Sequence, residues 1–220
     1  MLQTGDAGKL NEEQLNFVNE IAVGNHRMVE LVNALLNVSR LEMGTFAIEP
    51  APTDFAKIAR SVIGELKPQT LKRHQNIKEN FSQNLPKIMA DQKLIRIVMQ
   101  NYLSNAVKYT PEKGQIEIGL KVEKAGDHFQ EESLVISVKD NGYGIPKRQA
   151  FRIFSKLFRA DNVMTKDTEG TGLGLYIVKS IIEQSGGSVW FDSIENKGTT
   201  FYASLPLHGM AKKEGTKELT

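Results

Sequence analysis

Over residues 10–43 apolar side chains return on one stripe, at Phe17, Ile21, Met28, Leu31, Val32, Leu35 and Val38. That spacing predicts one long amphipathic helix, with Asn11 as its N-cap and Gly44 as its C-cap. About 33 residues at 1.5 Å each make a rod of roughly 50 Å. A small domain cannot cover such a rod along its whole length, so the stripe calls for helical partners.

Beyond Gly44 the pattern breaks into short alternating pieces. They predict a strand at 46–49, a helix capped by Thr53 and running to about residue 74, strands at 76–81 and 87–90, and a helix capped by Asp91. Thr110-Pro111 stops that helix near Tyr109. Residues 115–124 and 133–139 alternate as a hairpin around a polar, exposed loop at 125–132. The stretch 144–170 holds short apolar pieces between polar ones and reads as a long, partly ordered loop, which inside a small domain is usually functional. A helix over 172–185 ends at Gly186-Gly187. A last hairpin, 188–194 with 199–205, turns at Asn196-Lys197-Gly198, and Trp190 within it is expected in the core. The Lys/Glu/Gly-rich tail after residue 207 is expected to be disordered. The predicted division is 1–44, 45–208 and 209–220, with no internal repeat.

Composition narrows the classes. The chain has 220 residues, 40% hydrophobic and 25% charged, enough for one well-buried core with an appendage. Against 28 Lys+Arg stand 26 Asp+Glu, and no basic run marks a nucleic-acid face. The absence of cysteine removes disulfides and thiolate chemistry. No apolar run approaches the roughly 18–20 residues of a membrane span, and the first residues show no signal peptide; no membrane contact by this chain is expected. The four histidines, His26, His74, His128 and His208, have no metal-ligand spacing.

Three stretches carry chemistry. On the helix after Asp91, Leu94 and Val98 begin a stripe that Asn101, Asn105 and Lys108 continue, beside an apolar stripe of Ile95, Met99, Tyr102 and Ala106. A carboxamide oxygen can ligate Mg²⁺, whose other positions go to phosphate oxygens and water, and Lys108 lies a turn further on. Spacing alone equally allows an exposed helix edge. Asp140 ends an apolar strand and is followed by Gly142 and Gly144; a carboxylate there can accept from an adenine amino group and would repel a guanine carbonyl. Gly170, Gly172 and Gly174 open an apolar helix, offering backbone N–H groups to an anion. This is neither a P-loop nor a dinucleotide fingerprint; Gly5-Asp6-Ala7-Gly8-Lys9 fails the same test and reads as a turn.

Together, Asn101-x-x-x-Asn105-Ala106-x-Lys108-Tyr109, Asp140-x-Gly142-x-Gly144-Ile145, Phe154-Ser155-Lys156-Leu157-Phe158-Arg159 and Gly170-Thr171-Gly172-Leu173-Gly174-Leu175 resemble, in this order, the four nucleotide-binding boxes of sensor histidine kinases. Leu41-Glu42-Met43-Gly44 and Gly198-Thr199-Thr200-Phe201 also fit family positions. The resemblance covers nearly the whole chain. It implies a two-layer α/β sandwich, the ATP-binding fold shared with gyrase, Hsp90 and MutL, preceded by the second helix of a dimerisation and phosphoacceptor hairpin. It further implies ATP as cofactor, Mg²⁺ held through Asn105, Asn101 and Lys108 near the phosphates, and Asp140 reading adenine. Residues 144–170 become a lid with Arg159 toward the γ-phosphate, and Thr199 supports the adenine side. The cofactor-binding set is completed by Tyr109, Gly142, Gly144, Ile145, Gly170, Thr171, Gly172, Leu173 and Gly174.

Two departures matter. Leu157-Phe158-Arg159 stands where the family has Phe-Tyr-Arg, which removes a hydroxyl. The acceptor motif, a His followed by Glu/Gln-Leu-Arg-Thr-Pro, is absent; the resemblance places it on a helix before residue 1, with residues 1–10 as the hairpin turn. The expected enzyme is therefore a protein histidine kinase lacking its own acceptor. Its expected partners are a response regulator and an acceptor hairpin, within a cytoplasmic, homodimeric parent that can be membrane-anchored. A non-catalytic ATP-binding scaffold is the alternative, and a gyrase/Hsp90-type hydrolase a further one. The latter family has a glutamate base where this chain has Asn101.

Overall fold

In the computed structural model, which describes residues 8–164, 170–215 and 219, the first apolar stripe becomes helix α1, Glu12–Glu42. It opens on a capping box: the Asn11 side chain accepts from the Gln14 N–H, and the Gln14 side chain accepts from the Asn11 N–H. Met43 is the C-cap, and Gly44 follows at φ +63° as the left-handed residue past the helix end. Only the end of α1 joins the core, through Val38 and Leu41; Phe17, Ile21, Met28 and Leu35 lie exposed. The turns read at 1–10 and 5–9 fall largely outside the described residues, as do 165–169 of the long loop and 216–218 and 220 of the tail.

The architecture is the predicted two-layer sandwich. Strands β2 (Asn76–Phe81), β4 (Gln115–Glu123), β5 (Ser133–Asp140), β6 (Ser188–Ile194) and β7 (Gly198–Pro206) form a sheet in the order β2-β4-β5-β7-β6. The β2–β4 pair is parallel and the others antiparallel. Alternate residues of the central strands point one way: Ile116, Ile118 and Leu120, then Leu134, Ile136 and Val138, then Phe201, Ala203 and Leu205, all buried. Against them pack helices α2 (Phe55–Lys72), α3 (Gln92–Tyr109) and α5 (Gly174–Gln184), in one continuous core.

Several boundaries differ from the sequence reading, each for a local reason. Residues 46–49 are not a sheet strand. Phe46 and Ile48 make isolated bridges, and the first ladder is β1 (Ala51–Thr53) against β3 (Ile88–Ala90). Pro50 and Pro52 withhold N–H donors, so pairing there comes in short pieces. The cap of α2 is Asp54, which accepts from Lys57 N at 3.0 Å; the Thr53 hydroxyl instead donates to Ala90 O at 2.7 Å, in the small sheet. Helix α5 starts at Gly174, because Gly172 at φ +70° cannot continue a right-handed turn. The long loop contains a 3-10 helix, Lys147–Arg152, and a one-turn helix α4, Asp161–Met164.

The tail is ordered over 208–215: Ile48 and Lys213 exchange both backbone hydrogen bonds, and Met210 is buried. Its polar composition concealed that one buried methionine and its backbone groups have partners far away in the chain. Trp190 is not a core residue. It is half-buried on the sheet face turned away from the helices, stacked between His128 at 4.6 Å and Tyr202 at 5.0 Å. Among the described residues no helix is long and apolar enough to cross a membrane.

Candidate functional site

Helix α3 is the frame of the site. Asp91 caps it by accepting from Lys93 N and Leu94 N, while Ile95, Val98, Met99, Tyr102, Leu103 and Ala106 bury its apolar side. Tyr102 is locked by its hydroxyl, which donates to Tyr202 O at 2.9 Å. Asn101, Asn105, Lys108 and Tyr109 lie half-buried along one flank, so the polar stripe borders the core and is not a fully solvated edge. The Asn101 amide donates to Ile97 O at 2.8 Å. Asn105 makes no side-chain hydrogen bond among the described residues, which leaves its carboxamide for a ligand.

The second glycine cluster closes on this flank. A Cβ at Gly174 would lie 2.2 Å from Asn101 Oδ1, and one at Gly170 2.6 Å from Lys108 Nζ. An added side chain at either position would have to displace the Asn101 or Lys108 side chain, so glycine lets the 170–174 turn lie close to α3 and brings the N–H groups of the α5 start beside Asn101 and Lys108. Leu173 is buried in the core, where its side chain anchors the turn. Thr171 Oγ1 accepts from Leu173 N at 3.2 Å. From the 144–170 loop, Leu157 at φ +56° abuts Gly172, and Phe154 meets Phe191 and Phe201 edge-on. Arg159 hydrogen-bonds the Tyr109 hydroxyl, whose pKa burial raises against the opposing pull of that guanidinium.

The first cluster meets the same helix at its C-terminal residue. A Cβ at Gly142 would fall 2.3 Å from Tyr109 O, and Tyr143 N donates to that carbonyl at 3.1 Å. Asp140, 7% exposed, accepts at Oδ1 from Gly142 N at 2.8 Å and Thr199 N at 3.3 Å. Burial outweighs these bonds and pushes its pKa up to about 6. Both bonds end on Oδ1, so Oδ2 is the oxygen left to accept from a ligand. The predicted residues thus fall in two groups, Asn101 to Tyr109 with Arg159 and the 170–174 turn, and Asp140 to Ile145 with Thr199, joined at Tyr109.

Two contributors were not read from the sequence. Ser193 accepts from Ile145 N at 2.9 Å and meets the Thr199 hydroxyl at 2.9 Å, tying both sides of the Asp140 turn together. Counting the hairpin register back from Asn196-Lys197-Gly198 pairs Ser193 with Thr199, a signal that was available. Asn162 of α4 donates to Gly144 O at 3.0 Å and so ties the end of the 144–170 loop to the first glycine turn; nothing in its local sequence marks it. Among the described residues no group of three or more His, Cys, Asp or Glu could hold a metal. A cavity of about 260 Å³ between Ala47, Ala51, Asp91, Leu94 and Leu219 contains none of the site residues.

Residues 90–209, more than half of the chain, match the family described as histidine kinase-, DNA gyrase B-, and HSP90-like ATPase. The chain belongs to this family. It is 36% identical to the sensor histidine kinase WalK of Bacillus subtilis (strain 168) over 184 residues, 82% of this chain and 28% of WalK. It is 32% identical to the adaptive-response sensory kinase SasA of Synechocystis sp. over 181 residues, 82% of this chain and 45% of SasA. The chain therefore spans less than half the length of these relatives. Among solved structures, full-length ShkA in complex with AMPPNP superposes with a TM-score of 0.77 at 28% identity, covering 97% of this chain and 42% of ShkA. The histidine kinase ThkA in complex with the response regulator TrrA shares the fold, with a TM-score of 0.68 at 23% identity, covering 92% of this chain and 54% of that one. Sequence and fold are those of the ATP-binding catalytic part of sensor histidine kinases.

Proposed function

We propose that this chain binds Mg-ATP and donates the γ-phosphoryl group to a histidine outside its own four, as the catalytic part of a two-component sensor kinase. The observation that carries this reading is the closure of separate motifs on one helix: Gly174 against Asn101, Gly170 against Lys108, and Gly142 against the Tyr109 carbonyl. Asp140 Oδ2 accepts from the adenine amino group while Oδ1 stays fixed by two backbone N–H groups, and Thr199 and Ile145 frame the base. Lys108, Asn101 and the N–H groups at the start of α5 receive the phosphates. Arg159, carried by the lid, serves the γ-phosphate.

The Asn105 carboxamide, which makes no side-chain hydrogen bond among the described residues, fits a Mg²⁺ ion held mainly by phosphate oxygens and water, and those residues hold no acidic cluster to supply other ligands. Such an ion supplies charge neutralisation on the phosphates. The chain's own contribution is to orient ATP in line with the incoming nitrogen and to exclude water under the lid. In this reading residues 1–44 are the second helix of a dimerisation hairpin, and residues 45–208 the catalytic domain. The exposed stripe of Phe17, Ile21, Met28 and Leu35 takes the acceptor hairpin of a homodimer in the cytoplasm, and a response regulator receives the phosphoryl group next.

The test is incubation with γ-labelled ATP and Mg²⁺, alone and with a separate polypeptide carrying an acceptor hairpin from a relative. Acid-labile label is expected on the hairpin and none on this chain. Label on His26, or steady release of free phosphate with no phosphohistidine, would overturn the assignment.

A further inference from the structure

The end of α3 is held by side chains from another element, and they act on the two residues that enter the site. A helix leaves its last four carbonyls without partners of its own. In α3 Ala106 O is taken by Thr110 N at 3.0 Å and Tyr109 O by Tyr143 N at 3.1 Å. Val107 O has no such recourse, because the residue four positions on is Pro111, which has no N–H. Arg73 and Gln75 supply what is missing. The Arg73 guanidinium donates to Val107 O at 2.7 Å, Lys108 O at 3.2 Å and Thr110 O at 3.1 Å. The Gln75 amide donates to Val107 O at 2.9 Å, Thr110 O at 2.7 Å and Pro111 O at 3.3 Å. Gln75 is 8% exposed, so these bonds are made largely away from water.

The local chain is shaped for this task. His74 takes φ +52°, a left-handed conformation uncommon outside glycine, and so ends α2 with Arg73 and Gln75 both turned toward α3. Lys113 N donates back to Arg73 O at 3.0 Å, closing the corner from the other side. A cation at a helix C-terminus also offsets the negative end of its dipole, here at the end that approaches a polyanion.

We propose that Arg73, with Gln75, is a positioning residue for phosphate recognition, fixing the backbone from which Lys108 and Tyr109 project. Neither side chain touches the nucleotide. This rests on the ATP reading above, and the two can fail separately. Binding of Mg-ATP and of adenosine is measured by calorimetry on the whole chain, for the parent, Arg73→Gln, Arg73→Lys, Lys108→Ala and the Arg73→Gln/Lys108→Ala double variant. Melting curves confirm folding at the titration temperature. Parent protein that binds neither ligand sinks the ATP reading itself. With a binding parent, Arg73→Gln is expected to weaken Mg-ATP about fivefold to tenfold while leaving adenosine unchanged. Arg73→Lys, with the charge but not the fork, is expected to recover only part of the loss, and the double variant to bind Mg-ATP little worse than Lys108→Ala. Equal losses for both ligands, or losses that multiply in the double variant, would overturn the proposal. Should Arg73→Gln fail to fold, the Arg73→Lys comparison between the two ligands decides alone.

Discussion

At the scale of single residues the site turns on Asp140. A carboxylate offers two acceptor oxygens, and one is already committed to Gly142 N and Thr199 N. Asp140→Asn leaves one oxygen for those two donors and turns an NH₂ toward the adenine amino group, so nucleotide affinity should fall by about 1–3 kcal/mol; unchanged affinity by calorimetry would refute adenine recognition at this position. The raised pKa of about 6 adds a pH dependence. A carboxyl whose pKa is raised by folding stabilises the folded state below the ordinary carboxylate range, and that contribution is lost as pH rises toward 6. By neutral pH the buried charge costs on the order of 3 kcal/mol. Ligand binding has the opposite sign, because only the ionised form offers a free acceptor. Adenosine affinity should therefore fall as pH drops below about 6, while this residue's contribution to the stability of the ligand-free chain grows. Adenosine is the right probe because phosphate titrates in the same range. Asp140 and the glycines stood out because residue type and spacing marked them; a lone serine such as Ser193 stands out only once the hairpin register sets it opposite Thr199.

At the scale of elements, periodicity predicted α1, α3 and the hairpins well, because each buries a regular face. It misplaced starts where backbone conformation decides, as at Gly172, or where a hydroxyl had another use, as at Thr53. It also said nothing about what joins elements. Glu42, at the end of α1, pairs with Lys156 of the 144–170 loop and accepts from the Tyr176 hydroxyl of α5 at 3.3 Å, while Lys156 Nζ stands 5.1 Å from the Tyr176 ring centroid. Three side chains from a stem helix, a long loop and a core helix thus meet at one point. Glu42 and Lys156 are exposed and Tyr176 is half-buried, so the effect should fall on the motion of this loop more than on global stability. Lys156→Ala is expected to speed amide exchange over residues 154–159 with little change in melting temperature. Equal protection in both proteins would show that this contact does not restrain the loop.

For the whole molecule, the part least visible in the sequence was the tail, because its partners are remote in the chain and its composition is polar. Met210 N donates to Met89 O at 2.8 Å, and the Met210 sulfur receives Asp91 N at 3.3 Å. The tail therefore holds β3 at the residue that caps α3, the helix carrying Asn101, Asn105 and Lys108. Further on, Lys213 bonds Ile48 and sets its ammonium 4.2 Å from the Phe46 ring centroid, and Gly215 packs on the Phe46 backbone too closely for a Cβ. These contacts fasten the segment that leads out of α1 to the small sheet beneath the site helix. Ending the chain after residue 207 would uncover Phe46 and Ile48, both otherwise buried, and remove the Met210 side chain. Burying one methionine is worth about 1.5–3 kcal/mol, so with the newly exposed surface the truncation should cost roughly 2–4 kcal/mol. For a chain of this size that lowers the melting midpoint by roughly 4–16 °C, measurable by calorimetry. Mg-ATP affinity well below the new midpoint should stay near that of the full chain, since no residue beyond 207 lies among those that form the site. An unchanged midpoint would mean that the tail rests on the domain without supporting it, and a selective loss of affinity would mean that α3 depends on this anchorage for its position.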